Sequence, residues 1–443
     1  MDRIMEKGAY RQLLEQYGLT CRQSDNWLFC GETEGSAELE LLVTVTCSQV
    51  YDLMENLLPM LQSTGVPFKL VRDLFSHYRL NEGVLGPENI GRVISIYPGS
   101  VQQAIDLARS INQATTRFRG PRIRDVQRIG NIVYANGLGR QGNFHSYKTF
   151  KGSGNRRIMG KYYLPYAILH DPPKGFVYQA INLKKFACSW CLVKEGRIGM
   201  GEDDHGREVK DRLEWEKEVL EDLKIEISVP TVLDFVQQDE DCLLVLEWLE
   251  GRLLQQVILS QFQAYTRWDD IPRQAKQLIL GHFLGVTDII KCMHAKGYIH
   301  RDITDSNFML TKKGKLVAID MELSYSVKKC RPHPPFIMGT AGYVSPQQLA
   351  FENPEITDDI FSLGALLLFM LTGQHPLDFV DSEGSLNTFR LAQRCNENIL
   401  TELVKQCYGL EPRSRPSIDR MQQVIRQIKS SLNQGQYEKS LVP

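Results

Sequence analysis

The stretch YIHRDITDSNFMLTKKGKLVAIDMELSY, Tyr298–Tyr325, sets Asp302, Asn307 and Asp320 in one ordered series, split by the hairpin-like LTKKGKLVAI. Moving a phosphoryl group requires a carboxylate to orient and deprotonate the attacking hydroxyl, oxygen ligands for Mg²⁺, and a cation on the nucleotide phosphates. Asp302 suits the first task. Asn307, five residues on, and Asp320, after the strand-like KLVAID, suit the second. Each alone reads as well as an ordinary loop-capping residue; the ordered set carries the chemistry.

Upstream residues supply the remaining parts. CLVKEG places Lys194 at the end of a strand, where it can meet the α- and β-phosphates of ATP. The charged helix RLEWEKEVLEDL offers Glu214, Glu216 and Glu218 as its ion-pair partner, with surface charge as the alternative for all three. Leu213, Glu216 and Leu220 share one helical face, which selects Glu216. Gly175 and Val177 in LHDPPKGFVYQA are the candidate nucleotide-covering turn, although a triple-glycine loop is absent and a plain strand turn reads nearly as well. Glu247, in CLLVLEW, is grouped with the ATP-binding set.

Composition narrows the rest. With 52 basic and 53 acidic residues among 443, the chain is close to neutral and has no long run of like charge. That argues against a nucleic-acid or anionic-membrane footprint. The start, MDRIMEKGAYRQLLEQYGLT, lacks the apolar core of a signal peptide, and the apolar run 364–371 is too short to span a bilayer. A cytoplasmic protein without membrane insertion is expected. Ten cysteines at irregular spacing favour buried thiols over a disulfide framework. Cys188 and Cys191 form a lone CxxC, read as strand packing, with zinc as the alternative.

The length implies two domains. The polar, Gly-rich and basic stretch GRQGNFHSYKTFKGSGNRR, 139–157, marks the seam. Strand-like and helical runs alternate before it, and short strands followed by helices come after it. The expected organisation is an α/β domain over 1–145, a linker over 146–164, a second domain over 165–430 with a small β-rich lobe and a larger helical one, and a polar tail over 431–443.

Residues 165–430 resemble a protein kinase. GTAGYVSPQQL resembles the end of an activation segment, and TDDIFSLGALLLFMLTG a buried helix whose Asp359 bonds the catalytic-loop backbone. Arg415 in RSRPS would pair with a Glu that is Gln347 here, so a neutral bond is expected. Two departures narrow the kind. Thr304 stands where most Ser/Thr kinases have a Lys two residues after the catalytic Asp, and Asp320-Met321-Glu322 resembles the Asp-Phe-Glu form found in class III lanthipeptide synthetases.

In that family a lyase-like domain, similar to phosphothreonine lyases, precedes the kinase. GVPFKLVRD with Lys69, Arg72 and Asp73, IGRVISIYP with Arg92 for the family Lys, and GPRIRDVQ resemble its phrases. The implied fold class is α+β, a bilobal protein-kinase-like domain preceded by an α/β phosphothreonine-lyase-like domain. The family's elimination chemistry needs a Lys and a His on a strand matching LELLVTVTC, yet no His, Lys or Arg occurs between Cys30 and Lys69. Leu42 and Thr44 fall at the expected positions, and the late Tyr-Arg-Tyr-Gly phrase reads Tyr134-Ala135-Asn136-Gly137. The lyase is therefore expected to be degenerate, with Lys69 and Arg92 as phosphopeptide contacts or plain surface charges, and the family's cyclase domain is not found.

The resemblance implies a Ser/Thr kinase that uses ATP and Mg²⁺ on a ribosomally made precursor peptide, with a separate lyase or cyclase partner. A bifunctional kinase–lyase dehydratase and a non-catalytic peptide-binding module are the alternatives. The latter is disfavoured because Lys194, Asp302, Asn307 and Asp320 are all present.

Overall fold

A computed structural model describes residues 9–32, 39–138, 158–184, 188–336, 339–381 and 385–439; most of the linker expected at 146–164 lies outside them. The described chain forms two compact units, residues 1–213 with 234–245 and residues 214–233 with 246–443.

In the first unit, helix α1 (Ala9–Gln16) leads into strands β1 (Cys21–Ser24), β2 (Trp27–Cys30) and β3 (Glu40–Val43), helix α2 (Val50–Thr64), strand β4 (Phe68–Val71) and helix α3 (Leu74–Asn81). Strand β5 (Ile94–Ile96), helix α4 (Val101–Ala114) and strands β6 (Gln127–Arg128) and β7 (Val133–Asn136) complete the region. The seven strands pair in the order β1-β2-β4-β5-β3-β7-β6, with every neighbouring pair antiparallel. Interior strand β3 is buried through Leu41, Leu42 and Val43. Leu41 and Val43 join a core with Leu53, Leu57 and Leu61 of α2 and Ala104, Ala108 and Ile111 of α4, where each buried leucine contributes about 1.5–3 kcal/mol. Leu42 points the other way, into a separate small cluster with Ile123, Val126 and Tyr134, as period-two alternation requires.

The run expected as one strand, LELLVTVTC, is a strand only to Val43. The Thr44 amide bonds to the Ile132 carbonyl and that of Thr46 to Arg119, after which the chain turns into α2.

The same unit holds a second sheet built from β8 (Tyr163–His170), β9 (Val177–Asn182), β10 (Ser189–Gly196), β11 (Val232–Gln238) and β12 (Asp241–Glu247), ordered β11-β12-β10-β9-β8. Arg122 and Arg128 of the N-terminal region reach its β11–β12 turn, with Arg122 2.8 Å from Asp241 and Arg128 2.6 Å from Glu240. Helix α5 (Val209–Leu223) follows β10 and from Glu214 on belongs to the second unit.

The second unit is mainly helical. Strand β13 (Gly251–Leu253) and helix α6 (Leu254–Leu259) precede the long helix α7 (Arg273–Lys296), then strands β14 (Tyr298–Ile299), β15 (Phe308–Thr311), β16 (Leu316–Ala318) and β17 (Tyr325–Ser326). Helices α8 (Pro346–Leu349), α9 (Ile356–Thr372), α10 (Thr388–Arg394), α11 (Asn398–Cys407) and α12 (Ile418–Lys439) complete it. Among the described residues α7 is the helix long and apolar enough to cross a bilayer, yet Ile279, Leu280, Phe283, Val286, Ile290 and Met293 are buried along one side, as a core-facing stripe is. All of α9 from Asp358 to Thr372 is buried. The polar stretch expected as a tail from 431 begins inside α12, which continues to Lys439.

Candidate active site

The catalytic loop follows β14 and is held from below by one carboxylate. Fully buried Asp359, on α9, accepts from the amides of His300 and Arg301, both at 2.9 Å, and from Nε2 of His294 at 2.7 Å. Burial alone would raise its carboxyl; the bond to His294, the charges of His294 and His300, and the Arg301 amide outweigh that and hold it below the usual carboxylate range. These bonds keep Arg301 at φ +65°, a left-handed backbone that costs on the order of 1–3 kcal/mol for a non-glycine residue.

Asp302 is thereby placed between two donors from different parts of the chain. Its Oδ1 accepts from the Thr340 hydroxyl at 2.7 Å and the Thr340 amide at 3.2 Å, and its Oδ2 accepts from Nδ2 of Asn307 at 2.8 Å. Burial pushes the Asp302 carboxyl up, Thr340 pulls it back, and the charge of Asp320 pushes it up again; the net is above the ordinary aspartate value. Because Asn307 gives Nδ2 to Asp302, its amide oxygen is the atom left for a cation. Asp320, just after β16, caps the following turn by accepting from the Glu322 amide at 3.2 Å. Asn307 and Asp320 offer hard oxygen donors, which fit Mg²⁺, an ion that keeps waters and substrate oxygens for its other positions. Among the described residues no group of three or more His, Cys, Asp or Glu side chains forms a metal cage.

Met321 is fully buried, and its Sδ receives the Ser324 hydroxyl at 3.7 Å. The side chain between Asp320 and Glu322 is thus a core residue. Buried Thr304 hydrogen-bonds Ser306 at 2.9 Å.

In the first unit, β9 and β10 pair with Lys194 opposite Val177. Two residues before Val177, Gly175 has φ +150°, and a Cβ there would lie 1.8 Å from the Glu195 carbonyl oxygen. The turn is tied down further. Phe176 donates its amide to Glu195 Oε2 at 3.0 Å, and Arg197 pairs with that carboxylate at 3.0 Å while stacking over the Phe176 ring at 4.1 Å. The glycine is dictated by close packing of two strands. On α5, Leu213, Glu216 and Leu220 are buried and Glu214 is exposed. Glu247 ends β12, with its amide and its carboxylate both bonded to the backbone of Thr231, the latter at 3.1 Å. Its side chain is thus committed to its own chain.

Residues 177–426 match the protein kinase domain family. The chain belongs to the protein kinase family. With that, the sheet-rich region, the helical region and the preceding α/β domain answer to the α+β fold expected from the sequence. Residues 10–155 match the RamC N-terminal domain family. The kinase is 26% identical over 225 residues to a probable serine/threonine-protein kinase of Clostridium perfringens, covering 50% of this chain and 30% of the relative. It is 29% identical over 240 residues to serine/threonine-protein kinase PknA of Nostoc sp., covering 51% and 40%. Against serine/threonine-protein kinase C of Synechocystis sp. it is 25% identical over 235 residues, covering 51% and 42%. The chain spans less than half the length of these curated relatives.

Reading the sequence alone missed Thr340, which lies 38 residues from Asp302; the phrase GTAGYVSP held the signal. Gln347 pairs with Arg415 as anticipated, its Oε1 accepting from the guanidinium at 2.7 Å. Cys191 is buried with its thiol toward the Ala180 carbonyl, whereas Cys188 is exposed.

In the kinase's N-terminal domain, half-buried Lys69 on β4 lies 4.8 Å over the Trp27 ring, and Arg92 pairs with Glu40 at 3.5 Å. Burial pulls the Lys69 ammonium below its usual range, Glu40 counteracts this and Arg92 adds to it. His77 touches the stretch expected as the elimination strand, and it is fully buried. Its Nε2 is 3.0 Å from the Val45 carbonyl and its Nδ1 3.3 Å from the Tyr10 hydroxyl. Burial pushes its pKa down to about 4, so it is a neutral structural link.

Proposed function

We propose that this chain is an ATP- and Mg²⁺-dependent Ser/Thr kinase that phosphorylates a ribosomally made precursor peptide in the cytoplasm. The observation that carries the reading is Asp302, whose carboxylate is aimed by Thr340 on one oxygen and Asn307 on the other. A carboxylate so held, with its pKa raised, is poised to receive the proton of an attacking hydroxyl.

In this mechanism the substrate Ser or Thr oxygen bonds to the γ-phosphorus of ATP, the bond to the β-phosphate oxygen breaks and leaves ADP, and the hydroxyl proton passes to Asp302. Lys194 is the residue assigned to the α- and β-phosphates, with Glu216 as its expected ion-pair partner. Gly175 and Val177 cover the nucleotide and Glu247 borders it. Asn307 and Asp320 would hold Mg²⁺, which when bound would offset the charge of the phosphate oxygens. Thr304 brings no cation to the transferred group; its hydroxyl is turned to Ser306.

The N-terminal domain is read as a degenerate lyase. Leu42, at the position expected of a catalytic base, is enclosed by Ile123, Val126 and Tyr134. Lys69 and Arg92 serve as phosphopeptide contacts, and elimination falls to a partner protein. The test is mass spectrometry of a candidate Ser/Thr-rich peptide incubated with the protein, ATP and Mg²⁺. Gain of a phosphate supports the kinase, loss of water supports a dehydratase, and an unchanged mass despite binding supports a peptide-binding module.

A further inference from the structure

The segment between Ser326 and Thr340 reads VKKCRPHPPFIMG and contains no Ser, Thr or Tyr. Many kinases order this segment by phosphorylating it, which adds an anion for arginines to grip and so sets the helix that carries the Lys-pairing Glu. Here these thirteen residues offer no such side chain, and of the hydroxyls that flank them Ser324, Ser326, Tyr343 and Ser345 are buried, Tyr325 is half-buried and Thr340 is bonded to Asp302. Opposite charges are instead built into the chain. Lys329 Nζ lies 2.8 Å from Glu218 and 2.7 Å from Asp222, one turn apart on α5, and Arg331 lies 3.4 Å from Glu218. Arg331 also covers the Trp215 ring at 5.4 Å, and the Trp215 indole N–H donates to the Ser324 carbonyl at 2.7 Å. Tyr298, next to the catalytic loop, donates to the same Asp222 carboxylate at 2.6 Å. Trp215, Glu218 and Asp222, three and four residues apart, meet the segment from one side of α5, and Glu216 beside them is buried.

We propose that Lys329 and Arg331 are positioning residues that hold α5, and with it Glu216, in the working orientation, so that this kinase is active as synthesised and needs no activating phosphorylation of the segment. The inference rests on the kinase reading above. The ammonium of Lys329 is held above its usual range by its bonds to Asp222 and then Glu218, and the Asp222 carboxyl is held below its own by Lys329 and then Tyr298. Both groups are thus charged throughout the physiological range. A network of partly exposed ion pairs is screened by salt, so its grip weakens as ionic strength rises.

The experiment uses the full chain. Treatment of the purified protein with a broad-specificity phosphatase is expected to leave kcat and the ATP KM unchanged. The charge reversal K329E/R331E is expected to raise the ATP KM at least tenfold and to increase amide exchange along α5. Combining it with E218K/D222K is expected to recover most of both, whereas K329R alone behaves as wild type. Loss of activity on phosphatase treatment, or a fourfold variant no better than K329E/R331E, overturns the proposal. If the wild-type protein transfers no phosphate, the kinase reading fails by itself, and amide exchange of α5 in the same four proteins still decides the clamp.

Discussion

The Thr340 hydroxyl donates to Asp302 Oδ1 at 2.7 Å across 38 residues of chain, closing the far end of the activation segment onto the catalytic loop. A hydrogen bond to a charged group is worth about 1.5–3 kcal/mol. Thr340→Val should therefore lower kcat by roughly 10- to 100-fold, with the ATP KM little changed, while Asp302→Ala should abolish transfer. Steady-state kinetics on a phosphorylatable peptide decide both. An Asp302→Ala variant of undiminished rate would remove Asp302 from the mechanism.

A proton acceptor works only when ionised. Burial and Asp320 raise the Asp302 pKa while Thr340 lowers it, so log kcat should climb with pH on an acid limb above the range of a free aspartate. Because Thr340→Val removes a bond that favours the charged form, it should move that limb to still higher pH. A pH–rate profile of the two proteins, read for the position of the limb, checks the sign.

His77 makes the N-terminal domain acid-sensitive. The folded imidazole, held at about 4, stays neutral where the unfolded one, near 6.5, takes up a proton. Between those values the unfolded chain binds more protons, so stability rises with pH and is lost as pH falls from 6.5 towards 4. The gap is worth on the order of 3 kcal/mol. Denaturant titrations across this window should show that loss, and His77→Phe, less stable at neutral pH, should lose less on acidification.

Gly175→Ala places a methyl group against the Glu195 carbonyl oxygen. The β9–β10 pairing that sets Val177 opposite Lys194 has to shift to make room. A cost of about 1–3 kcal/mol and an ATP KM raised several-fold are expected, readable from thermal unfolding with and without nucleotide.

Reversing Glu322 to glycine should leave phosphotransfer within about threefold of wild type, roughly 0.6 kcal/mol. Glu322 contributes its amide to the Asp320 turn, and glycine retains that amide. A larger fall in kcat would assign the carboxylate a part in the reaction.

The order Asp302, Asn307, Asp320 was legible because residues of one loop and one hairpin keep their spacing when they fold. The burial of Glu216 was legible for a related reason, since helical periodicity places it with Leu213 and Leu220, all three buried. Contacts made across long stretches of chain were not. Nothing local pairs Thr340 with Asp302, or Lys329 with Glu218 across 111 residues. Gly175 looked like a worn phosphate loop, yet its need for glycine comes from Glu195 on the next strand. In the N-terminal domain the alternation of strands and helices was readable, but the antiparallel order was not, and the strand that begins at Glu40 ends at Val43 because the chain leaves the sheet to form α2.

Glu40 gives the N-terminal domain a tethered ligand of its own. Its carboxylate, on the strand beside β5, already engages Arg92. On the proposed phosphopeptide role of Arg92, an incoming phosphate has to displace that carboxylate. On that role, a doubly charged phosphoryl group should compete with Glu40 for Arg92 better than a peptide carboxylate does. Substituting Glu40 by Gln would relax that preference.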